Sequence, residues 1–367
     1  MRLLVVTAGS SSLKLRVLEP DDRLAALANL PPPDAAGVVA AVQDAVREFG
    51  RIDAVGHRVV HGGVDFMAPV LVDPGVRARL AALTDLAPLH QPKSLAGLDA
   101  VSAVLADVPH VACFDTAFHA GIPAAAATYA LPAAWRSRWP LRRFGFHGLS
   151  HAYASRRAVE LWGAAVPTPF RVVTCHLGAG ASLAAVVDGR SVDTTMGFTP
   201  LEGLVMATRS GSVDPGLVLW LQTHAGLSTD EVTLGLDRHS GLLGLAGSAD
   251  MRDVLAGVER AEPDAVLALD VYLHRLVGSI AAMAASAGGM DALVFTGGVG
   301  ERAPVVRARA MERLGFLGVA VEAKANDSGL ADREIGAPGA PVRSFVIEAR
   351  EDLEIARQVR AVMAGEA

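Results

Sequence analysis

The chain has 367 residues, of which 51% are hydrophobic and 20% are charged, and its formal net charge is −6 at pH 7. This length allows two domains with substantial cores, and the acidic balance argues against nucleic acid or an anionic membrane as the main partner. No uninterrupted apolar run reaches the roughly 18 residues that would predict a membrane-spanning helix.

The N-terminal apolar run favours a buried strand over a signal peptide, because it is short and no cleavage site follows it. The two cysteines, Cys113 and Cys175, each end an apolar run. A single disulfide is one reading, and two buried thiols in a reducing cytoplasm is the favoured one. We therefore expect a cytoplasmic protein.

Two stretches share a pattern in which an apolar strand enters a turn of small residues and leaves as another strand. They are residues 3–18 and residues 171–187. Such turns carry little side-chain bulk, so backbone N–H groups and hydroxyls can approach an anion closely. A third glycine turn follows an apolar strand at residues 291–301. The repetition predicts a nucleotide held between two related lobes, and hence phosphoryl transfer.

The remaining elements are predicted from apolar spacing and repeat one order in each half. In the first half we expect helices at 35–49, 76–86 and 95–105 and strands at 54–60 and 108–114. From Pro169 onward we expect strands at 190–195 and 292–296 and helices at 215–224, 229–236, 263–287 and 303–314. A final helix, 352–363, is expected to pack back on the first half.

The first small-residue turn, Gly9 to Lys14, offers hydroxyls and one cation at the end of a strand. As a phosphate cradle it would use Ser10, Ser11 and Ser12, with Lys14 balancing charge. The alternative is a hairpin turn with a solvated lysine. The spacing of a Walker A loop is missing.

Three residues of the first half have side chains suited to catalysis or ligand binding, and each also has a simpler structural interpretation. Arg58 ends a strand before a glycine turn and could fork a carboxylate or phosphate, or form a surface salt bridge. His90 lies in a loop and is either catalytic or structural. Asp115 ends a buried strand, where it could orient an arginine or a metal-bound water, or cap the next segment.

A dense cluster of arginines, histidines and glycines spans residues 142–151, and His147 within it could donate to a transferring phosphoryl group. The alternative is chance clustering in a linker. Residues 193–215 form a long polar, glycine-rich insert, and loops of that length are usually functional. Arg209 lies in this insert among small neighbours, which would leave its guanidinium accessible. No zinc-ligand spacing occurs, so a hard cation bound through oxygen fits better.

Taken together, the motifs resemble the acetate kinase family, within the acetate and sugar kinase, heat-shock-70 and actin fold group. The similarity extends nearly end to end. It is carried by the segments AGSSSLK, GHRVVHGG, APLHQP, FDTAFH, YALP, RRFGFHGLSH, HLGAGAS, SVDTTMGFTPLEG, TRSGSVDPG, SGLLG and FTGGVGE.

The resemblance implies an α/β fold of two lobes with a duplicated β-rich, ribonuclease H-like core of the actin and hexokinase type, and a nucleotide cleft between the lobes. We expect the first lobe to comprise residues 1–117 and 353–367, and the second to comprise residues 118–352. The implied enzyme is a cytoplasmic homodimer that moves a phosphoryl group between ATP and acetate, giving acetyl phosphate and ADP. The implied cofactor is Mg²⁺, with Mn²⁺ as the other candidate.

Site residues are carried over position by position. The catalytic positions are Arg58, His90, Asp115, His147 and Arg209. Arg58 also binds substrate, together with a small apolar pocket around the acetate methyl formed by Val60, Leu89, Phe146 and Pro200. The nucleotide positions are Ser10, Ser12, Lys14, His176, Leu177, Gly178, Ala179, Gly180, Asp250, Met251, Arg252, Gly298, Val299, Gly300, Glu301 and Arg302. The metal positions are Glu351 and Thr7.

The chain departs from the family pattern on one side only. Where the family has asparagine, this sequence has Thr7, Ala179, Arg302 and Arg350. All four changes fall on the donor and metal side. Two alternatives therefore stay open beside acetate kinase: a propionate-preferring kinase or one that uses another phosphoryl donor, and a nucleotide-binding protein without catalysis.

Overall fold

The computed structural model describes residues 1–9, 12–88, 90–329 and 331–366. The chain divides into two compact units. Unit 1 comprises Met1–Ala120, Phe146–Tyr153 and Arg350–Ala367, and unit 2 comprises Gly121–Gly145 and Ala154–Ala349. Each unit is built around one mixed β-sheet with helices packed on it.

The secondary structure elements alternate along the chain. The strands are β1 (Leu3–Ala8), β2 (Leu13–Leu18), β3 (Leu24–Leu30), β4 (Ala54–Val59), β5 (Val70–Leu71), β6 (His110–Phe114), β7 (Arg171–Leu177), β8 (Ala181–Val187), β9 (Arg190–Thr194), β10 (Ala292–Thr296), β11 (Arg333–Glu334) and β12 (Arg343–Val346). The helices are α1 (Val38–Phe49), α2 (Pro74–Ala82), α3 (Gln91–Ser102), α4 (Ala124–Ala127), α5 (Ala133–Arg138), α6 (Gly148–Trp162), α7 (Pro215–Thr223), α8 (Thr229–Arg238), α9 (Gly241–Ala246), α10 (Met251–Glu259), α11 (Pro263–Ser286), α12 (Gly297–Arg302), α13 (Pro304–Arg313), α14 (Ala323–Asp327) and α15 (Glu351–Ala364).

The sheet of unit 1 has the strand order β3-β2-β1-β4-β6-β5. Strands β1, β4 and β6 run parallel, whereas β2, β3 and β5 join antiparallel. Strand β2 alternates buried leucines with the exposed Lys14 and Arg16, the pattern of a strand with one solvated face. One face packs on α1 and α3, and the other packs on α15.

The sheet of unit 2 has the order β9-β8-β7-β10-β12-β11, with the same sequence of parallel and antiparallel neighbours. Each half therefore starts with an antiparallel three-strand meander, adds two parallel strands and ends on an antiparallel edge strand. The third strand of each meander pairs through a register shift, after Val17 in unit 1 and after Ala185 in unit 2. This confirms the predicted duplicated α/β core.

Helix α11 is long and apolar enough, by length and composition, to cross a membrane. Charged residues such as Asp270 and Arg275 interrupt it, so it contains no uninterrupted apolar run of the kind sought in the sequence. A core helix of a soluble protein meets the same test. Leu269, Leu273 and Ile280 are fully buried, and the helix packs on β7 and β8 of unit 2.

Several predictions are confirmed with shifted ends, and others need correction. The helix expected at 263–287 is α11, the strand at 292–296 is β10, and residues 195–214 lie between β9 and α7 outside helices and strands. The third glycine turn is instead a short helix, α12. Both cysteines are free and buried.

The unit boundaries differ from the expected domain limits of residues 117 and 352. The expected limits assign residues Phe146–Tyr153 to the second lobe, yet they belong to unit 1. The Gly148 N–H donates to the Asp115 carbonyl at 2.8 Å, and Leu149 lies in the core formed by β1, β6 and α15. Arg350 likewise belongs to unit 1, because its guanidinium pairs with Asp352.

Candidate functional site

Arg58 and Asp115 form a forked ion pair at the ends of two parallel strands of unit 1. Strand β4 presents Arg58 and strand β6 leads into Asp115, whose N–H donates to the Val59 carbonyl at 3.1 Å. The Arg58 Nε lies 3.0 Å and 3.1 Å from the two carboxylate oxygens, and Nη2 lies 2.7 Å from Oδ2. The Asp115 side chain is only 2% exposed, so the surface salt bridge considered for Arg58 is excluded.

The environment keeps this guanidinium charged. Burial works to lower the pKa of Arg58, but the negative charges of Asp115 and then Glu351 outweigh it, so the pKa is raised above its ordinary value. Glu351 is the first residue of α15 and lies in unit 1 with the pair. One cation and two carboxylates thus share this part of unit 1, and a forked Arg–carboxylate pair fixes orientation as well as charge.

His147 has a left-handed backbone, with φ at 56°, which is uncommon for a residue with a side chain. The next residue has to be glycine, because a Cβ at Gly148 would lie 2.3 Å from the Asp115 carbonyl oxygen. The Gly148 N–H donates to that same carbonyl. Unit 1 therefore holds the backbone beside His147 directly against Asp115. Non-glycine residues in this conformation concentrate at functional sites.

Phe146 is held by a histidine that was not singled out in the sequence. The carbonyl of Phe146 accepts a hydrogen bond from Nε2 of His119 at 3.2 Å, and His119 is fully buried. Burial lowers the pKa of His119 to about 4, although the bond to Phe146 opposes the shift. The Phe146 ring also packs edge-on against His61 at 5.5 Å between centroids. The buried imidazole is thus a neutral donor that supports the predicted acyl pocket.

The other predicted substrate positions of unit 1 lie near these strands. Val60 directly follows β4 and is half-buried, and Phe146 is 1% exposed. His90 occupies the position before α3 and is half-buried. Leu89 lies outside the described residues.

The first small-residue turn connects β1 and β2 as a hairpin. Thr7 is paired with Lys14 across the strands, and the Gly9 N–H donates to the Ser12 carbonyl at 2.9 Å. Lys14 is exposed and Thr7 is half-buried. Ser10 and Ser11, which the sequence assigns to the phosphate cradle, lie outside the described residues.

One of the departures from the family pattern, Arg350, lies beside the predicted metal position. Its guanidinium donates to Asp352 at 2.9 Å and 3.0 Å, and Arg16 reaches the same carboxylate at 3.2 Å. Although burial opposes the shift, Arg350 and Arg16 lower the pKa of Asp352. The residue that replaces the family's asparagine is therefore tied into the start of α15 by a buried carboxylate.

In unit 2, Arg209 lies in the long insert between β9 and α7. Its Nη1 donates to the Pro200 carbonyl at 2.6 Å. Burial lowers the pKa of Arg209, with Asp237 opposing the shift. The guanidinium is half-buried and therefore less accessible than its small neighbours suggested. Arg209, a predicted catalytic residue, is thus in contact with Pro200, a predicted residue of the substrate pocket.

The second small-residue turn joins β7 and β8 and repeats the closure of the first. The Gly178 N–H donates to the Gly180 carbonyl at 2.9 Å. The carbonyl of Ala179 accepts from the N–H of Ala207 at 3.1 Å, which ties this turn to the Arg209 insert. His176 is half-buried, whereas Leu177 buries its side chain completely and leaves only its backbone for the predicted nucleotide contact.

The third predicted nucleotide segment, α12, is held by its own glutamate. One carboxylate oxygen of Glu301 accepts from the N–H of Gly297 at 2.9 Å and from the N–H of Ala349 at 3.0 Å. Glu301 therefore shapes the segment, whereas Gly298 and Arg302 are exposed. Gly300 is buried, and Val299 is half-buried.

The remaining nucleotide positions open helix α10. Asp250 caps the helix by accepting from the Arg252 N–H at 2.9 Å, and the Arg252 guanidinium folds back onto the same carboxylate. These contacts lower the pKa of Asp250 to about 2. Met251 is buried. Of the three, Arg252 is the most exposed side chain, so it is the one placed to meet a ligand.

Comparison with known proteins decides the family. A family model described as the acetokinase family matches residues 35–357. The chain belongs to the acetokinase family. It is 42% identical to an acetate kinase from Deinococcus deserti over 397 aligned residues, which covers 100% of this chain and 99% of that protein.

Solved structures of acetokinase-type enzymes are similar over their whole length. An acetate kinase from Porphyromonas gingivalis has a TM-score of 0.89 at 33% identity, covering 99% of both chains. A propionate kinase from Francisella tularensis also has a TM-score of 0.89 at 33% identity, covering 97% of this chain and 98% of that one. The resemblance, the fold class and the acetate kinase function expected from the sequence are confirmed at the level of the family. The individual site assignments stay predictions.

Proposed function

We propose that this acetokinase family member transfers the γ-phosphoryl group of ATP to acetate, giving acetyl phosphate and ADP, and that it also runs in reverse. The observation that carries the proposal is the Arg58–Asp115 pair. Asp115 takes the Nε and Nη2 edge of the guanidinium, so among the described residues the Nη1 hydrogens remain to donate to a substrate oxygen. A charged, oriented arginine at a strand end suits a carboxylate substrate.

The chemistry is a direct in-line displacement. An acetate oxygen forms a bond to the γ-phosphorus, and the bond from that phosphorus to the oxygen bridging to the β-phosphate breaks, leaving with its electron pair as ADP. Acetate is already ionised at neutral pH, so no general base is required. Asp115 accordingly serves to hold Arg58 in place. Alignment and charge neutralisation supply the rate enhancement in phosphoryl transfer.

Arg209 is proposed to stabilise the transferring phosphoryl group, with His147 contributing a further donor. Only Nη1 of Arg209 has a hydrogen-bond acceptor within the described ranges, namely the Pro200 carbonyl. Its Nε and Nη2 hydrogens are therefore left for phosphoryl oxygens. A donor that meets charge as it develops in the transition state typically contributes about 10²–10³ in kcat.

The metal proposal rests on the type of ligands available. Among the described residues no group of three or more His, Cys, Asp or Glu side chains could hold a metal ion. This fits Mg²⁺, which is usually held by one or two carboxylates, water and substrate phosphates. Glu351 would supply the carboxylate and Thr7 a hydroxyl, and Mn²⁺ is the alternative ion. When bound, the ion neutralises charge on the phosphates.

The test of the reaction is to trap acetyl phosphate as its hydroxamate in the presence of acetate, ATP and Mg²⁺. Product that depends on all three supports the proposal. Absence of product at millimolar acetate would contradict the proposal. In that case, calorimetry that detects nucleotide binding without turnover would favour a non-catalytic nucleotide-binding protein. In a titration of Mg²⁺, Glu351→Gln should raise the concentration needed for half-maximal rate.

A propionate kinase is the second candidate, because the Francisella propionate kinase and the Porphyromonas acetate kinase are equally similar to this chain. The four donor-side departures also motivate a panel of donors. Comparing kcat/KM for acetate and propionate, and for ATP, other nucleotides and pyrophosphate, separates these alternatives. An overwhelming preference for ATP would dismiss the alternative donors.

We also propose a cytoplasmic homodimer. Helix α7 supports the dimer, because none of its residues is buried although Leu217, Leu219 and Trp220 are large and apolar. An exposed apolar helix of this kind is typical of an interface. Light scattering should give twice the chain mass, and Leu219→Glu should give the monomer mass. A monomeric wild type would contradict the dimer. The free thiols of Cys113 and Cys175 support the proposed cytoplasmic location, because thiols stay reduced in that compartment.

A further inference from the structure

Three polar side chains of unit 2 meet in a hydrogen-bonded cluster that no role assigned above uses. The carboxylate of Glu202 accepts from the Tyr129 hydroxyl at 2.6 Å through one oxygen and from Nη2 of Arg143 at 2.7 Å through the other. Tyr129 and Glu202 are 73 positions apart in the chain. The Arg143 side chain is 17% exposed, so water screens its pair with Glu202 less than a surface pair.

The cluster grips the backbone of the insert that carries Arg209. Nη1 of Arg143 donates to the carbonyls of Thr195 and Met196, both at 3.0 Å. The Tyr129 hydroxyl accepts from the N–H of Phe198 at 2.9 Å. Residues 195–198 are therefore held by two side chains that both end on the carboxylate of Glu202.

The backbone at the centre of the cluster leaves no room for a side chain. A Cβ at Gly197 would lie 1.7 Å from Oε2 of Glu202 and 2.2 Å from the Tyr129 hydroxyl oxygen. The carbonyl of Gly197 accepts from the N–H of Phe144 at 3.0 Å. The insert is thus pinned from the backbone of the neighbouring segment as well as from its side chains.

The gripped segment contains Pro200, whose carbonyl is the hydrogen-bond acceptor of Arg209 at 2.6 Å. The backbone around Arg209 is fixed separately, because the N–H of Ser210 donates to the Leu236 carbonyl and the Thr208 carbonyl accepts from Ser240, both at 2.9 Å. The position of Pro200 therefore sets the direction of the Arg209 guanidinium, whereas the backbone of Arg209 is fixed by these other hydrogen bonds.

We propose that Tyr129, Arg143 and Glu202 form a positioning cluster for phosphoryl transfer. The cluster fixes the segment 195–202 so that the Pro200 carbonyl orients the Arg209 guanidinium. This inference rests on the proposed function of Arg209. None of the three contacts substrate in this scheme, so each acts through Arg209 and is a positioning residue.

The protonation states suit this role. Burial, and then the hydrogen bond and charge of Glu202, raise the pKa of Tyr129, so its hydroxyl keeps its proton and donates at any physiological pH. The same oxygen keeps a lone pair for the N–H of Phe198. Removing only this hydroxyl would release both bonds and leave the ring in place.

The primary test is Tyr129→Phe, with Tyr272→Phe as the matched control. The Tyr272 hydroxyl is buried with no hydrogen-bond acceptor or donor among the described residues, so its loss removes no bond. We expect Tyr129→Phe to lower kcat about tenfold or more while the KM for ATP stays near wild type, because small misplacements of catalytic groups cost rate. Tyr272→Phe should keep the wild-type kcat.

A double-mutant cycle separates positioning from general structural damage. If the cluster acts through Arg209, Tyr129→Phe should cause little further loss of kcat in an Arg209→Ala background. Glu202→Gln, which keeps the side-chain shape, should behave like Tyr129→Phe in both backgrounds. A wild-type kcat in Tyr129→Phe, or a loss that multiplies with that of Arg209→Ala, would overturn the inference.

Hydrogen exchange gives a readout that does not depend on activity. The peptide that contains Phe198 should lose protection in Tyr129→Phe and keep it in Tyr272→Phe. Unchanged protection would contradict the inference that the positioning cluster fixes the segment 195–202. If the wild-type protein forms no acetyl phosphate while protection still drops in Tyr129→Phe, the proposed function fails and the cluster's grip on the insert stands. If the wild-type protein forms acetyl phosphate and Tyr129→Phe changes neither kcat nor protection, the inference about the positioning cluster fails and the proposed function stands.

Discussion

Arg58 and Asp115 lie diagonally across two adjacent parallel strands, because Arg58 is opposite Cys113 and Asp115 follows two positions later. Val59 is opposite Phe114, and the Asp115 N–H extends the ladder by donating to the Val59 carbonyl. The guanidinium and carboxylate then meet as a fork with contacts of 2.7–3.1 Å. The orientation of Arg58 is thus a property of the sheet, and the charge of the pair can be altered without changing its backbone.

Asp115→Asn tests this pair. It keeps the shape of the side chain but removes the charge that holds Arg58, so we expect kcat to fall about a hundredfold or more. Breaking a buried pair should also lower the free energy of unfolding by about 3–5 kcal/mol. Steady-state kinetics and urea unfolding measure the two effects.

The matched control for Asp115→Asn is Asp99→Asn. Arg77 and Asp99 form the same forked geometry, with contacts of 2.6 Å and 2.7 Å, but Asp99 is exposed. Losing an exposed pair should change the free energy of unfolding by less than about 1 kcal/mol and leave kcat unaltered. Equal effects of the two substitutions would contradict the special role of Arg58 and Asp115.

Arg209→Ala should be more damaging than Lys14→Ala. Arg209 is proposed to meet the phosphoryl group as charge develops, so its loss should lower kcat roughly a hundredfold or more. Lys14 would contact donor phosphates in the ground state and the transition state alike, so its loss should raise the KM for the donor. Initial-rate kinetics with varied ATP separate the two patterns, and a wild-type kcat in Arg209→Ala would remove the role assigned to it.

Val60→Ala should shift substrate preference from acetate toward propionate and butyrate. Each extra methylene that fits gains about 1 kcal/mol of burial, whereas one forced into a full pocket costs about 1–3 kcal/mol. The KM for ATP should stay nearly unchanged. The measurement is kcat/KM for the three acids in both proteins. If the wild type already uses butyrate as well as acetate, the pocket assignment fails.

His119 makes stability depend on pH. Its pKa in the fold is about 4, against an ordinary value of 6.5, so the unfolded chain binds more protons between these values. The contribution of neutral His119 to the free energy of unfolding is therefore fully present above about pH 6.5 and is lost as the pH falls toward about 4. His119→Gln keeps an N–H that can reach the Phe146 carbonyl without titrating, so its urea midpoint should fall less than that of the wild type on acidification. A urea midpoint that falls as steeply with acidification in His119→Gln as in the wild type would contradict this role of His119.

The sequence predicted the long elements well, because their apolar spacing is strong. Helix α11 and strand β10 lie within one residue of the expected positions. Strand β3 was missed, since it is rich in alanine and none of its residues is fully buried. Helix α6 is absent from the predicted elements, because its first turn, Gly148–His151, belongs to the cluster of arginines, histidines and glycines that indicates a loop.

The site was predictable only as a set of residues. Family resemblance indicates Arg58 and Asp115, but they are 57 positions apart in the chain, and their contact becomes evident only from the strand register. Tyr129 and Glu202 were present in the quoted motifs, yet nothing in a tyrosine or a glutamate of a loop distinguishes a hydrogen-bonded cluster from a solvated surface. Their partnership depends on the fold of the insert.

The last helix, α15, has a consequence for how the protein is made. Ile355, Ala356 and Val359 complete the core that contains Leu3, Val5 and Ala54, and a Cβ at Gly56 would lie 2.4 Å from Ile355. Strands β1 and β4 are synthesised well before α15, so their apolar face that packs on this helix stays uncovered until α15 has been synthesised. Uncovered apolar faces promote aggregation. A nascent chain that contains these strands but not yet α15 is therefore expected to depend more on chaperones than a chain that includes the helix.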